Sequence, residues 1–489
     1  MRQELRARAL TAFLIAFASV ASAGTDASPW SVLARKDLDA IHQNILENHP
    51  GPEDGSNPGF KDWLEKGYRL GLEKAASADS YEGYKFALDY YAAGFRDNHL
   101  GVNQRLAPRD DSWPGFVAAY KDGRFVVRST APAENRFDVP PNPGDEIVSC
   151  DGVPAKELML RNVFPYWGNA GLEALWVRQS PWLFVDEGNP FISRPQQCDL
   201  RRGDRIEKRD LLWREIPAEE LLRRIRAAAR APREDLGIAD LGEGRFWVRI
   251  PTFEPSDEEV PLFEKILAGL PALRGARLIV FDVRGNNGGN YAWGAKLARA
   301  LYGKEFVDSM DPVPRVSSDW RASTGNKEHL VRTLLPMIRK QLGEADPEYA
   351  EFSRVLAGIS AALAAGRPFY AEPPEISSAP AAIADPLPAR VVLATDSSCA
   401  SACLYFADTL LAIPGVEQIG LPTAADGLYL ERRDILLPSG ISTLGLPITI
   451  DRHRKRGNNE PYVPKTRPDV DVENTGEFRR WVLEHYAGK

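Results

Sequence analysis

The segment Ala276-Arg-Leu-Ile-Val-Phe-Asp-Val283 constrains this chain more than any other. A strand with water on one face alternates apolar and polar residues; a nearly unbroken apolar run has both faces covered. Strands covered on both faces belong to parallel sheets, whose members are joined by crossover helices. Arg390-Val-Val-Leu-Ala-Thr395 is a second run of this kind. Each run precedes a helical pattern, Tyr291 to Leu301 and Ser401 to Ala412, and the strand-like Phe246–Ile250 is followed by a helical Glu258–Leu273. Residues 216–489 are therefore expected to form an α/β core on a crossover mixed sheet.

The chain's 489 residues leave room for two or three domains. Residues 24–106 read as a helical N-terminal domain: Leu33, Leu38, Ile41, Ile45 and Leu46 recur at helical spacing, and so do the apolar residues after Tyr81. Residues 107–215 change character, with short strands at Phe125–Ser129 and Glu146–Cys150 bounded by Gly, Pro and Asp. Ala218 to Arg230 reads as a solvated linker helix, and 326–366 as a helical insertion in the core.

The first 23 residues read as an address. Arg2, Arg6 and Arg8 precede the apolar run Leu10–Val20, and Ala21-Ser-Ala23 forms a small-residue cleavage site. The run is shorter than the roughly 20 residues a membrane span needs. Cleavage after Ala23 implies a periplasmic or secreted protein without an integral span, in a compartment where disulfides form. The formal net charge of −7 lacks the basic footprint of a nucleic-acid binder. Six His and four Cys, none at zinc-ligand spacing, argue against a metal site.

Two turns can carry chemistry. Asp282-Val-Arg-Gly-Asn-Asn-Gly-Gly289 follows a buried strand and opens a helix, so its glycines bring bare N–H groups to a place that favours negative charge. It lacks the dinucleotide and P-loop patterns, which leaves an oxyanion hole as its use. Asp396-Ser-Ser-Cys-Ala-Ser-Ala-Cys403 also joins strand to helix and would expose Ser401 at the carboxyl end of the sheet. The bland reading of Ser401 is an N-cap.

Together, Asp282-x-Arg-x-Asn-x-Gly-Gly289, the Ser401-Ala402 helix start and Ile419-Gly-x-Pro-Thr423 resemble the tail-specific, C-terminal-processing and tricorn-core serine peptidases. Asn48-His-Pro50 and Arg96-Asp-Asn-His99 resemble the helical N-terminal region of the tricorn-like branch, Pro143–Gly152 resembles the turn–strand–turn of a PDZ module, and Asn459-Glu-Pro…Pro-Asp469 resembles the family's terminal segment. The resemblance implies Ser401 as nucleophile, with Gly288 and Ala402 amides as the oxyanion hole. The lysine of the Ser–Lys branch would fall on Asp426, a carboxylate that cannot be that base. The tricorn-like Ser-His-Glu branch instead implies His99 as base and Glu460 as its support. The relay residue beside the histidine, a serine in that branch, is Asn98 here.

Outside the resemblance, His99 could be a satisfied helix-end histidine and Glu460 a surface carboxylate paired with one of Arg452–Arg456. His453 is a weaker substitute base. Asp282 and Arg284 are expected to hold the turn, and His49 to pack or cap. Cys399 and Cys403, one helical turn apart, could brace Ser401 with a disulfide or stay free; Cys150 and Cys198 could pair across strands, and sequence leaves the connectivity open. The expected function is an exported serine peptidase acting on a polypeptide without a cofactor, a PDZ-like module engaging the substrate's C-terminus. The alternatives are a non-catalytic peptide-binding protein of the same fold, motivated by Asn98 and by Leu404 where processing peptidases carry Glu, and a hydrolase of a non-peptide ester or cell-wall fragment.

Overall fold

The computed structural model describes residues 27–106, 109–131, 141–229, 235–310, 317–373 and 384–486. The signal-like segment 1–23 lies outside these residues. Three helices come first: α1 (Pro29–Asn48), α2 (Pro58–Ala76) and α3 (Tyr81–Ala93). Ser28 and Ser80 start α1 and α3 by accepting the N–H groups of Trp30 and Gly83 on their hydroxyls. Leu38, Ile41, Ile45, Leu64, Leu88 and Tyr91 share a core with Leu444, Leu446 and Ile450 from the far end of the chain. β1 (Gly101–Gln104) leaves this bundle.

The β-rich unit follows. β2 (Phe116–Lys121), β3 (Arg124–Thr130), β4 (Glu146–Cys150), β5 (Gln197–Arg202) and β6 (Arg205–Asp210) lie side by side in that order, each antiparallel to the next. Phe116, Phe125, Ile147, Phe164, Trp176 and Phe184 fill its interior. Cys150 and Cys198 stand directly opposite each other on β4 and β5 and form a disulfide. Helix α4 (Ala218–Ala229) leads onward.

The elements that frame the rest of the fold are β7 (Gly237–Asp240), β8 (Arg245–Arg249), α5 (Val260–Gly269), β9 (Leu278–Asp282), α6 (Tyr291–Tyr302), β10 (Ser317–Arg321), α7 (Pro347–Ala364), β11 (Phe369–Ala371), β12 (Arg390–Thr395), α8 (Ala402–Leu411), β13 (Glu417–Gly420), β14 (Tyr429–Leu436), β15 (Ser442–Arg452) and α9 (Thr475–Tyr486), with shorter helices between them. They make two sheets. The first has the order β7-β8-β9-β12-β13 and is parallel except for β7. Every residue of β9 is buried, because helices cover both faces. Ile279, Phe281 and Leu393 pack on Phe263, Leu297 and Phe406 of α5, α6 and α8. The alternate residues, Leu278, Val280 and Val392, pack on Phe478 and Val482 of α9.

The second sheet is antiparallel, with the order β1-β15-β10-β11 and β14 also paired to β15. β15 therefore sits beside a strand that the N-terminal region contributes. The helical region is not a free-standing unit: it shares both a sheet and a core with the last hundred residues. The insertion joins the same assembly, where α7 and Leu330 pack on Trp320 and Ile448. Asn326 donates to the Asn48 carbonyl and Ser323 to the Asn48 side chain, tying the insertion to the end of α1.

Candidate active site

In a parallel sheet the loops at the carboxyl ends of the strands form the ligand-binding edge. Three such loops meet here: 283–290 after β9, 396–401 after β12 and 421–428 after β13. The first is set by Asp282, which is fully buried and accepts from Trp247 Nε1 at 3.0 Å and from Arg284 Nε and Nη2 at 2.8 and 2.7 Å. Arg249 donates to the Asp282 carbonyl at 3.0 Å. Burial works against the Asp282 charge, but the Arg284 bonds and the Arg284 and Arg249 charges outweigh it and hold the carboxyl below its ordinary value. Asp396 links the first two loops, accepting the N–H groups of Gly285 and Ser398, each at 2.9 Å. Burial pushes the Asp396 carboxyl up, and those two N–H groups offset part of the rise.

Ser401 occupies the position before α8 with φ 53° and ψ −124°. That backbone is strained for a residue with a Cβ. Its hydroxyl makes no capping bond, so the N-cap reading does not describe it. Its N–H donates to Asp426 Oδ2 at 2.5 Å. The disulfide Cys399–Cys403 spans the turn, with both cysteines fully buried. Gly288 lies against the serine: a Cβ built there would stand 2.8 Å from the Ser401 Cβ and 3.0 Å from the Ala402 nitrogen. Gly289 has φ 128°, and a Cβ on it would meet the Phe253 backbone at 2.3 Å. Both positions exclude side chains for want of space. The Ala402 N–H is the first of its helix and has no acceptor among the described residues. The Gly288 N–H is engaged, donating to Asn286 Oδ1 at 2.8 Å.

His99 lies in the turn between α3 and β1. Asp97 organises that turn. One of its oxygens accepts the His99 N–H at 2.9 Å and lies 4.0 Å from His99 Nδ1. The other takes a 3.3 Å bond from His49 Nε2. His49 Nδ1 accepts the Gly51 N–H, which leaves the proton on Nε2 for Asp97. His49 is fully buried, stacks on Phe60 at 4.6 Å, and burial pushes its imidazole below its ordinary value. His99 itself is 21% exposed, and its Nδ1 is buried without a hydrogen-bond partner.

Hydrogen bonds draw the three distant stretches together. Asn98 Nδ2 donates to the Ala425 carbonyl at 2.6 Å, and Asn459 Nδ2 to the Arg96 carbonyl at 3.1 Å. Asn459 N–H reaches the Asp426 carbonyl at 3.0 Å, and Asp426 in turn holds Ser401. Arg96, Ser401, Glu431 and Asn459 all have positive φ, a concentration of strained backbone in one place. Some expected partners do not meet. Among the described residues no hydrogen bond joins Ser401 Oγ to the His99 ring. Glu460 is exposed, and its carboxylate accepts the Gly457 N–H at 2.6 Å without a bond to His99. Asp97 is a carboxylate beside that imidazole, and Glu431 is near enough to feel its charge. Asn98 Nδ2 ties down the turn through Ala425, and among the described residues no hydrogen bond joins Asn98 to Glu460. His453 is exposed.

No family description matches the chain, and no curated protein does. Solved structures do. The crystal structure of mature CPAF aligns at 16% identity over 94% of this chain and 97% of its own, with a TM-score of 0.63. Mature CPAF complexed with lactacystin aligns at 16% identity over 94% and 98%, with a TM-score of 0.60. The fold is shared with mature CPAF. Within that fold the sequence reading overlooked Asp97 and saw Asp426 only as a missing lysine. An Asp two residues before a histidine in a turn is a signal for the first, since such a side chain folds back onto the following N–H. No local pattern marks the second, because its partner lies 25 residues away.

Proposed function

We propose that this chain is an exported serine-type peptidase that cleaves polypeptides through an acyl-enzyme on Ser401. The observation that carries the proposal is the strained turn at Ser401, which frees its hydroxyl from capping and sets the Ala402 N–H beside Gly288. Ser401 Oγ attacks the scissile carbonyl while His99 takes its proton; the carbon–nitrogen bond then breaks and His99 returns the proton to the leaving amine. Water repeats the sequence in reverse and releases the acid. The Ala402 N–H is one donor to the oxyanion, and the Gly288 N–H becomes the other when it exchanges Asn286 Oδ1 for the substrate oxygen. Asp97 supports the imidazole in the position first assigned to Glu460. The Ser401–His99 bond closes when substrate binds, as catalytic hydrogen bonds that are open in free enzymes often do.

The β-rich unit then serves as a PDZ-like module that adds the substrate's C-terminal segment as an extra strand. Two disulfides suit an oxidising compartment. Among the described residues no helix is long and apolar enough to cross a membrane. The test is a fluorophosphonate probe and a peptide library applied to the mature protein and to Ser401→Ala. Labelling and hydrolysis that vanish in the variant support the peptidase. The open Ser401–His99 pair favours one other reading, a non-catalytic peptide binder of the same fold, in which the probe leaves the protein unlabelled and Ser401→Ala binds peptide as before. Hydrolysis of esters but of no peptide in the library would move the assignment to a non-peptide hydrolase.

A further inference from the structure

A residue with a Cβ held at φ 53° and ψ −124° is strained and persists only where its surroundings over-determine it. Three restraints act on Ser401. The disulfide Cys399–Cys403 fixes the separation of its flanking residues. The helix takes hold of its carbonyl through the Leu404 N–H at 2.8 Å. The peptide plane before it is held from two sides: the first turn of the helix takes its Ala400 carbonyl through the Cys403 N–H at 3.0 Å, and the Asp426 carboxylate takes its Ser401 N–H, the one bond to that plane from outside the turn.

Asp426 is built for that bond. It is 3% exposed, and its backbone is clamped by Asn459 N–H at 3.0 Å and Arg454 Nη2 at 3.4 Å on its carbonyl. Its neighbour Ala425 accepts from Asn98, so the same short loop also meets the turn that carries His99. Arg456, 4% exposed and paired with Asp408, also lies near enough to Asp426 for their charges to attract. A negative group at the start of α8 is favoured by the helix dipole as well.

We infer that Asp426 is a positioning residue: it holds the strained Ser401 backbone through the Ser401 N–H and so aims the hydroxyl and the Ala402 N–H at one point. It touches neither substrate nor Oγ. The inference rests on the peptidase reading for its kinetic consequence, while its structural content, protection of the Ser401 amide, stands without that reading. Rotation of the freed peptide plane would move Oγ and the oxyanion donor together, and misplacement by about 1 Å costs about 10²-fold in rate.

The experiment compares Asp426→Asn, whose amide oxygen keeps the acceptor, with Asp426→Ala and Asp426→Leu, which remove it. Leu maintains volume, so one acceptor-free variant folds even where a cavity would not be tolerated; urea transitions verify this. Two quantities are read on the mature protein: kcat and KM on a peptide cleaved by the wild type, and hydrogen exchange of a proteolytic fragment carrying the Ser401 amide. The expected result is a kcat about 10²-fold lower in the acceptor-free variants with KM nearly unchanged, and near-wild-type kcat in Asp426→Asn. Exchange at Ser401 should be protected in the wild type and Asp426→Asn and fast in the other two. Wild-type exchange in a folded acceptor-free variant overturns the inference, as does an Asp426→Asn enzyme as slow as Asp426→Ala. If the wild type shows no Ser401-dependent hydrolysis, the peptidase reading fails, and the exchange arm alone decides the role of Asp426.

Discussion

The turn that carries Ser401 and the turn that carries His99 are made by different means. The serine turn lies within one parallel sheet, between buried β12 and α8, with a disulfide across it and a buried ion pair beneath the neighbouring loop. The histidine turn belongs to a different sheet, is anchored at its ends by the core residues Phe95 and Leu100, and is tied across by hydrogen bonds: Asp97 to His49, Asn98 to Ala425 and Asn459 to Arg96. One half of the site is thus pre-organised by its own sheet. The other half is delivered by docking, so its distance from the serine depends on how the two sheets meet. This explains why the open join in the site is the one between Ser401 and His99.

The comparison can be broken or sharpened by substitution. The largest effect is expected from His99→Ala, which should cut kcat/KM by about 10³-fold or more with an unchanged urea midpoint; retained activity would place the base elsewhere. Next comes Asp282→Asn, which breaks the buried pair under the serine half and should cost about 3–5 kcal/mol in urea unfolding at neutral pH. The sign with pH follows from the depressed carboxyl of Asp282. Its contribution is complete above the unfolded value of about 3.9 and is lost as pH falls from there through the folded value. Wild type and variant should therefore converge in stability in strong acid, and a gap that stays constant with pH would show that the charge is not what matters.

Replacing Cys399 and Cys403 together by serine should cost about 2 kcal/mol, the value for a bond closing so short a loop. The loss should be accompanied by a lower kcat, since the brace lies on the rigid half; a stability loss with full kcat would show that the other restraints suffice. The smallest pair of effects separates the two carboxylates. Asp97→Asn should lower kcat/KM about 10-fold, whereas Glu460→Gln should stay within about twofold because its amide oxygen can still accept the Gly457 N–H. The reverse order would return Glu460 to the imidazole.

Much of the serine half could be read along the chain. The apolar runs 276–283 and 390–395 are strands because covered strands must be apolar on both faces, and the glycines at 288 and 289 stand where a Cβ would strike Ser401 or Phe253. These are short-range demands that leave a mark on the residues themselves. The histidine half was legible only as a motif. Nothing in Arg96-Asp-Asn-His99 announces that β1 will pair with β15, that Asn98 will reach Ala425, or that Glu460 will turn back onto Gly457.

The sequence by itself determined the local grammar of this protein: which runs are buried strands, where helices begin, and which turns can tolerate no side chain. Only the tertiary structure decided that β1 from the N-terminal region shares a sheet with the last strands, that Asp97 stands 4.0 Å from the His99 ring, and that Asp426 holds the Ser401 amide. The reason is physical. Burial and backbone sterics act on each residue where it stands, whereas a hydrogen bond between groups hundreds of positions apart depends on the relative placement of whole sheets, which no single segment encodes.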